Sequence, residues 1–218
     1  MGSLLSTVSK TYLEPEHGIE MANTGKIYDQ YKDSVVKFQS LSLMKPILLN
    51  GPKVFLYRPL AQHLHKISNV QSYWLTFRAE YLRTNYKEYD AWTPTSDIEM
   101  IAYHWIRSVH EMSQHTNVLW IESNNLFMQP KMTMDSVCDH FNLSKIGDFS
   151  LSQVDVKKMM INGRSSACEI NIAEATRVSV DHGVIHTNEA STEIFSLCNM
   201  IGETYKVSNS LLYGNNEY

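Results

Sequence analysis

Long apolar runs are missing from this chain. Those that occur, such as Ile47-Leu48-Leu49 and Val54-Phe55-Leu56-Tyr57, fall far short of the ~20 residues that a membrane-crossing helix needs. The amino terminus lacks the basic-then-apolar pattern of a secretory leader. Cysteine is scarce: Cys138, Cys168 and Cys198 are odd in number and widely spaced, which suits neither a disulfide framework nor a zinc site. No basic tract is dense enough to follow an extended nucleic acid. The phosphate-loop pattern G-x-x-x-x-G-K-[ST] occurs nowhere, which argues against a nucleotide kinase or P-loop NTPase. Internal repeats and low-complexity linkers are also absent. These absences point to a cytoplasmic protein with no membrane segment.

What is present is enough for a globular core. The chain has 218 residues, 43% of them hydrophobic and 19% charged, which suits one domain over residues 1–218. The net charge of -4 conceals an imbalance between the two halves. Between Lys45 and Lys87 stand seven basic residues against the single acid Glu80. Chance bias on solvated faces is one account of this, and a small bound anion such as phosphate or sulfate is the other.

Along the chain, Leu4/Leu5, Val8 and Tyr12 give helical spacing over 3–12, and Ile27/Tyr28, Tyr31, Val35 and Phe38 repeat it over 27–42. Asn50-Gly51-Pro52 then punctuates the chain. Val54–Tyr57 reads as a strand covered on both faces, and Pro59 is well placed to open a helix lined by Leu60, Leu64 and Ile67. Ser96 to Glu99 spells a capping box, S-D-I-E, ahead of an amphipathic helix over 96–114. Val118–Ile121 reads as a second buried strand ending at Glu122, a helix begins near Pro130, and a last one covers roughly 191–206. The alternation predicts an α/β layered fold with parallel strands, while residues 144–190 are weakly patterned.

Ligands of open parallel sheets bind at the carboxyl ends of the strands. Arg58 and Glu122 each follow an apolar run directly, so both are placed for that crevice. The competing account of Arg58 is a salt bridge at a strand end, and that of Glu122 is a cap or structural acceptor. Gly2 and Ser3 precede a helical pattern, where unpaired N–H groups could cradle an anion. His63 and His65 chelate only in a strand, and His104 and His110 fall on different faces of a helix, so no metal site is expected.

Taken in order, these pieces resemble the sulfotransferases that use 3'-phosphoadenosine-5'-phosphosulfate (PAPS). The likeness rests on "MGSLLS", on "VFLYRP", on the capped helix containing Trp105, and on "VLWIESNNLF" with "PKMTMDSVCDHFNLS", and it spans residues 1–143. Ile121-Glu122, Leu126, Pro130 and Phe141-Asn142-Leu143 are in register with the family's second pattern. The resemblance implies a three-layer fold, P-loop NTPase-like, with a central mainly parallel sheet flanked by helices. It implies that Gly2 and Ser3 hold the phosphosulfate, that Arg58 with Lys66 or Ser68 holds the 3'-phosphate, and that Gly163 and Arg164 lie in a loop closing over the nucleotide. Glu16 and His17 become candidates for the base that activates a small-molecule or glycan acceptor. Two departures stand out: Lys66 occupies the family's serine position, and no strand or loop cation precedes Gly2. They favour the alternative, a degenerate sulfotransferase-like binding or assembly module.

Overall fold

A computed structural model describes residues 11–13, 35–37, 51–69, 72–85, 88–148 and 190–214. In chain order the elements are β1 (Thr11–Leu13), β2 (Val35–Lys37), β3 (Lys53–Tyr57), α1 (Leu60–Asn69), α2 (Ser72–Asn85), α3 (Asp97–Ser113) and β4 (Val118–Glu122). They continue with α4 (Ser123–Met128), α5 (Pro130–His140), α6 (Thr192–Tyr205) and α7 (Asn209–Tyr213). The architecture is mixed α/β. Two compact units divide it: residues 1–56 with 115–184, and residues 57–114 with 185–218.

The first unit holds the strands. β1 and β2 pair in parallel, Thr11 opposite Val35 and Leu13 opposite Lys37. At 11–12 and 35–37 this corrects the helical readings of 3–12 and 27–42, whose remaining residues lie outside the described residues. Apolar spacing over so few residues does not separate the two periods. Thr11-Tyr12 and Val35-Val36 are β-branched or aromatic, types whose stiff side chains suit a pleated strand better than a helix. β3 and β4 form a second pair, framed by a hydrogen bond from the Lys53 N–H to the Asn117 carbonyl at 3.1 Å. Across that pair the Phe55 and Trp120 rings meet edge to face, 4.9 Å apart.

Behind β4 lies a small core of Ile121, Leu126, Met134, Val137, Cys138 and Ile146, flanked by Val54, Leu119, Phe141 and Leu143. α5 enters it on Pro130 at its first turn, where the missing N–H costs nothing. It leaves on Asn142, whose φ of 55° is left-handed. The Leu143 N–H reaches back to the Cys138 carbonyl at 2.8 Å, and the Asn142 N–H to that of Asp139 at 3.1 Å. Those two bonds satisfy the helix's last carbonyls and turn Leu143 onto the core.

The second unit is helical. α3 is its centre: residues Met100 to Ile106 are buried without a break, so this helix is enclosed all round over its middle. α1 and α2 pack on α3, while α6 and α7 pack on α1. The expected capping box is formed. The Ser96 hydroxyl accepts from the Glu99 N–H at 3.3 Å, and the Glu99 carboxylate accepts from the Ser96 and Thr95 N–H groups at 3.2 and 2.6 Å. Arg83 pairs with Asp97 at 2.8 Å, and the Thr76 hydroxyl donates to the same carboxylate.

Asp90 gathers the rest. It accepts from the hydroxyls of Tyr205 at 3.0 Å and Tyr103 at 3.4 Å, and from Arg107 at 3.3 Å. Burial pushes its carboxyl up, but the bonds from Tyr205 and the Ala91 N–H, with the charge of Arg107, hold it below the ordinary value. α6 runs from Ser191, whose side chain caps the Ile194 N–H, to Lys206 in the left-handed conformation, matching the helix expected over 191–206.

Two substitutions test these packing assignments. Ser96→Ala is expected to cost about 1 kcal/mol through loss of the cap, read as a lower urea midpoint with an unchanged slope; a wild-type midpoint would show that the box contributes nothing. Met134→Ala, at a fully buried position, is expected to cost ~2–5 kcal/mol. A loss below about 1 kcal/mol in the same urea experiment would place Met134 outside the core.

Candidate anion-binding site

The strand that begins with Lys53 ends at Tyr57, and the helix that follows begins at Leu60. Two residues make the turn. Pro59 is buried; its ring confines Arg58 to extended backbone, and its carbonyl accepts from the His63 N–H at 2.9 Å to close the first turn of α1. Leu60, Ala61 and Leu64 are wholly buried and hold that turn against the core.

The Arg58 carbonyl lies between two ladders and belongs to neither. Its partner is the indole of Trp105, whose Nε1–H donates to it at 2.9 Å from the middle of α3. The Arg58 side chain is half-buried, and its Nε has no hydrogen-bond partner among the described residues. Burial holds the guanidinium below its ordinary value. Lys66, two turns along α1, is also half-buried; burial first, and then the positive charge of Arg58, pushes its ammonium down. The two cations therefore feel each other in a partly desolvated setting. Among the described residues neither forms an ion pair with a carboxylate.

Such a pair is a poor way to stabilise a fold and a good way to receive an anion. Like charges brought together out of water oppose folding, and an incoming phosphate or sulfate would reverse the sign of both terms.

Ser68 stands apart from this pair. It is exposed, and its hydroxyl donates to the His65 carbonyl at 2.9 Å within α1, so its proton is committed to the helix. Gly2, Ser3, Glu16, His17, Gly163 and Arg164 lie outside the described residues. Glu122 is 8% exposed and takes the flanking position ahead of α4, without capping that helix through its side chain. Ser123, next to it, is a buried serine whose hydroxyl has no partner among the described residues.

Among the described residues no three His, Cys, Asp or Glu side chains are grouped to hold a metal ion. Cys138 and Cys198 are buried free thiols. Burial pushes the Cys198 thiol up to about 12, far from the reactive range. No helix among the described residues is long and apolar enough to cross a membrane.

Compared with protein-family models, with curated proteins and with solved structures, the chain matches none. The case for function therefore rests on the residues themselves. Sequence reasoning singled out Arg58 and Lys66 but missed the bond from Trp105. The only signal for it was a tryptophan among aliphatic residues on the face of a capped helix.

The depressed Lys66 predicts a pH dependence of known sign. A lysine whose folded value lies below 10.5 binds its proton less tightly folded than unfolded, so its burden on stability is full at neutral pH and lifts as pH rises to 10.5. Lys66→Met, which keeps the apolar stem, is expected to raise the urea midpoint at pH 7, and the gain should shrink toward pH 10.5. A lower midpoint at pH 7 would mean that the cation stabilises the ligand-free fold.

Proposed function

We propose that this chain is a PAPS-dependent sulfotransferase in which Arg58 and Lys66 hold the nucleotide's 3'-phosphate. One observation carries the reading: two half-buried cations, Arg58 just after β3 and Lys66 on α1, depressed by burial and by Arg58, form no ion pair with a carboxylate among the described residues. The order of elements supports it, with β3 followed directly by Arg58-Pro59, a capped helix carrying Trp105, and β4 ending on an acid. In this reading the fold is the three-layer α/β arrangement with a central, mainly parallel sheet.

The chemistry asks little covalent work of the protein. An acceptor oxygen or nitrogen attacks the sulfur of PAPS, the bond from sulfur to the 5'-phosphate oxygen breaks, and adenosine 3',5'-bisphosphate leaves. Protein groups align the partners, neutralise the phosphates and take the acceptor's proton. Gly2 and Ser3 would hold the phosphosulfate, Gly163 and Arg164 would close over the nucleotide, and Glu16 or His17 would take the proton. A second reading is a relative that binds without turnover. It is favoured by Ser68, whose hydroxyl is bound to the helix, and by the lysine in the family's serine position.

Adenosine 3',5'-bisphosphate tests the reading through thermal unfolding. At a hundredfold excess over Kd a ligand adds about 2.7 kcal/mol, a rise in Tm of roughly 5–10 °C for a chain of this length. Arg58→Ala is expected to remove most of that rise, since charge-assisted hydrogen bonds are worth ~1.5–3 kcal/mol. No rise in the wild type at millimolar nucleotide would sink the assignment. Binding together with sulfuryl transfer from PAPS to a panel of hydroxyl and amine acceptors supports the enzyme; binding without it supports the second reading.

A further inference from the structure

We propose that Trp105 is a positioning residue for the anion site: its indole N–H fixes the backbone of Arg58 and so sets the direction in which the guanidinium emerges. The inference rests on the reading of Arg58 as an anion ligand, but its geometry stands by itself.

Three constraints meet at Arg58. On one side its neighbour Tyr57 is tied into β3. On the other, the Pro59 ring restricts its ψ to the extended region. That leaves the peptide carbonyl, which the sheet does not use and which lies ahead of the helix, whose first accepted bond falls on Pro59. A carbonyl in a partly buried turn needs a donor, and Trp105 supplies it across 47 residues of sequence. With the carbonyl pinned, the peptide plane cannot swing, and the Cα–Cβ vector of Arg58 is set.

Trp105 can serve as a fixed post because it is itself immobilised. It is buried within the enclosed middle of α3, and the capping box at Ser96 fixes that helix about two and a half turns upstream. Among the described residues the Arg58 Nε has no partner, so none of them orients the guanidinium at that atom. Fixing it from the backbone removes part of the ordering cost that a ligand would otherwise meet. Trp105 touches no ligand in this account and acts only through Arg58.

The test uses the full chain and two measurements. Adenosine 3',5'-bisphosphate affinity is measured by calorimetry, and the Arg58 Nε–H signal is followed by nitrogen-15 NMR without ligand. Trp105→Phe is expected to weaken binding roughly three- to tenfold, the scale of one lost hydrogen bond, and to move the Arg58 signal. Benzothienylalanine at position 105 keeps the fused rings but replaces N–H by sulfur. It should reproduce both effects, which separates the donor from ring-current changes and serves if the phenylalanine variant does not fold. Ile201→Val, a fully buried change on α6, should lower Tm while leaving affinity and signal as in the wild type. The proposal is overturned if the benzothienylalanine protein keeps the wild-type Arg58 signal, or if it binds nucleotide as tightly as wild type. If wild type and Arg58→Ala alike fail to bind, the anion-site reading falls, and the NMR signal alone decides whether Trp105 orients Arg58.

Discussion

Helix α3 has no solvent face over Met100 to Ile106, and that enclosure governs the whole helical unit. A helix buried on every side must be supplied with neighbours on every side. α1 and α2 pack directly on it, and the segment ahead of it contributes Tyr89 and Trp92, whose rings pack edge to face against Tyr103. Polar groups caught in such a helix must be answered. The Tyr103 hydroxyl finds Asp90, and the Trp105 indole finds the Arg58 carbonyl. The position of the candidate site is thus a by-product of how α3 satisfies its own interior.

The same enclosure explains why the cations at Arg58 and Lys66 are tolerated. α1 is anchored by Leu60, Ala61 and Leu64, all fully buried, and that burial offsets the cost of holding two partly desolvated charges, one on α1 and one in the turn ahead of it. Charges held partly out of water cost stability, and the rest of the fold carries the difference. Here the surplus comes from an aliphatic face and the strain from two basic side chains.

Much of this was legible in the sequence, for reasons that differ from element to element. α3 announced itself through S-D-I-E, because a capping box is a local chemical arrangement needing only four residues. β3 and β4 were readable as short apolar runs bounded by turn residues, and α5 by Pro130. α2 was hidden because Tyr73, Trp74, Leu75, Phe77, Ala79, Tyr81 and Leu82 form no single stripe. α4 was hidden because Glu122 is at once the end of a strand and the flank of a helix, with no turn residue between them. β1 and β2 are three residues each, and what makes them strands is a partner more than twenty residues away, which no local pattern encodes. At the site, Arg58 and Lys66 could be chosen from position and charge. The bond from Trp105 could not, since it exists only once α3 lies beside the β3–α1 turn. The stretch from Pro130 to Leu143 also has a plain explanation: the proline starts a helix, and Phe141-Asn142-Leu143 ends it.

Asp90 and Tyr205 are joined across 115 positions of sequence, and α6 and α7 cover α1 from further away still. The helical unit is therefore discontinuous in the chain. During synthesis from the amino terminus, α1, α2 and α3 leave the ribosome well before the residues that cover them. Until 190–214 are made, the side of α1 destined for α6 and α7 stays bare. The long closure costs little at equilibrium, because loop entropy grows only logarithmically, but it slows folding. The nascent chain passes through an interval in which an apolar helix face is exposed to other chains and to chaperones.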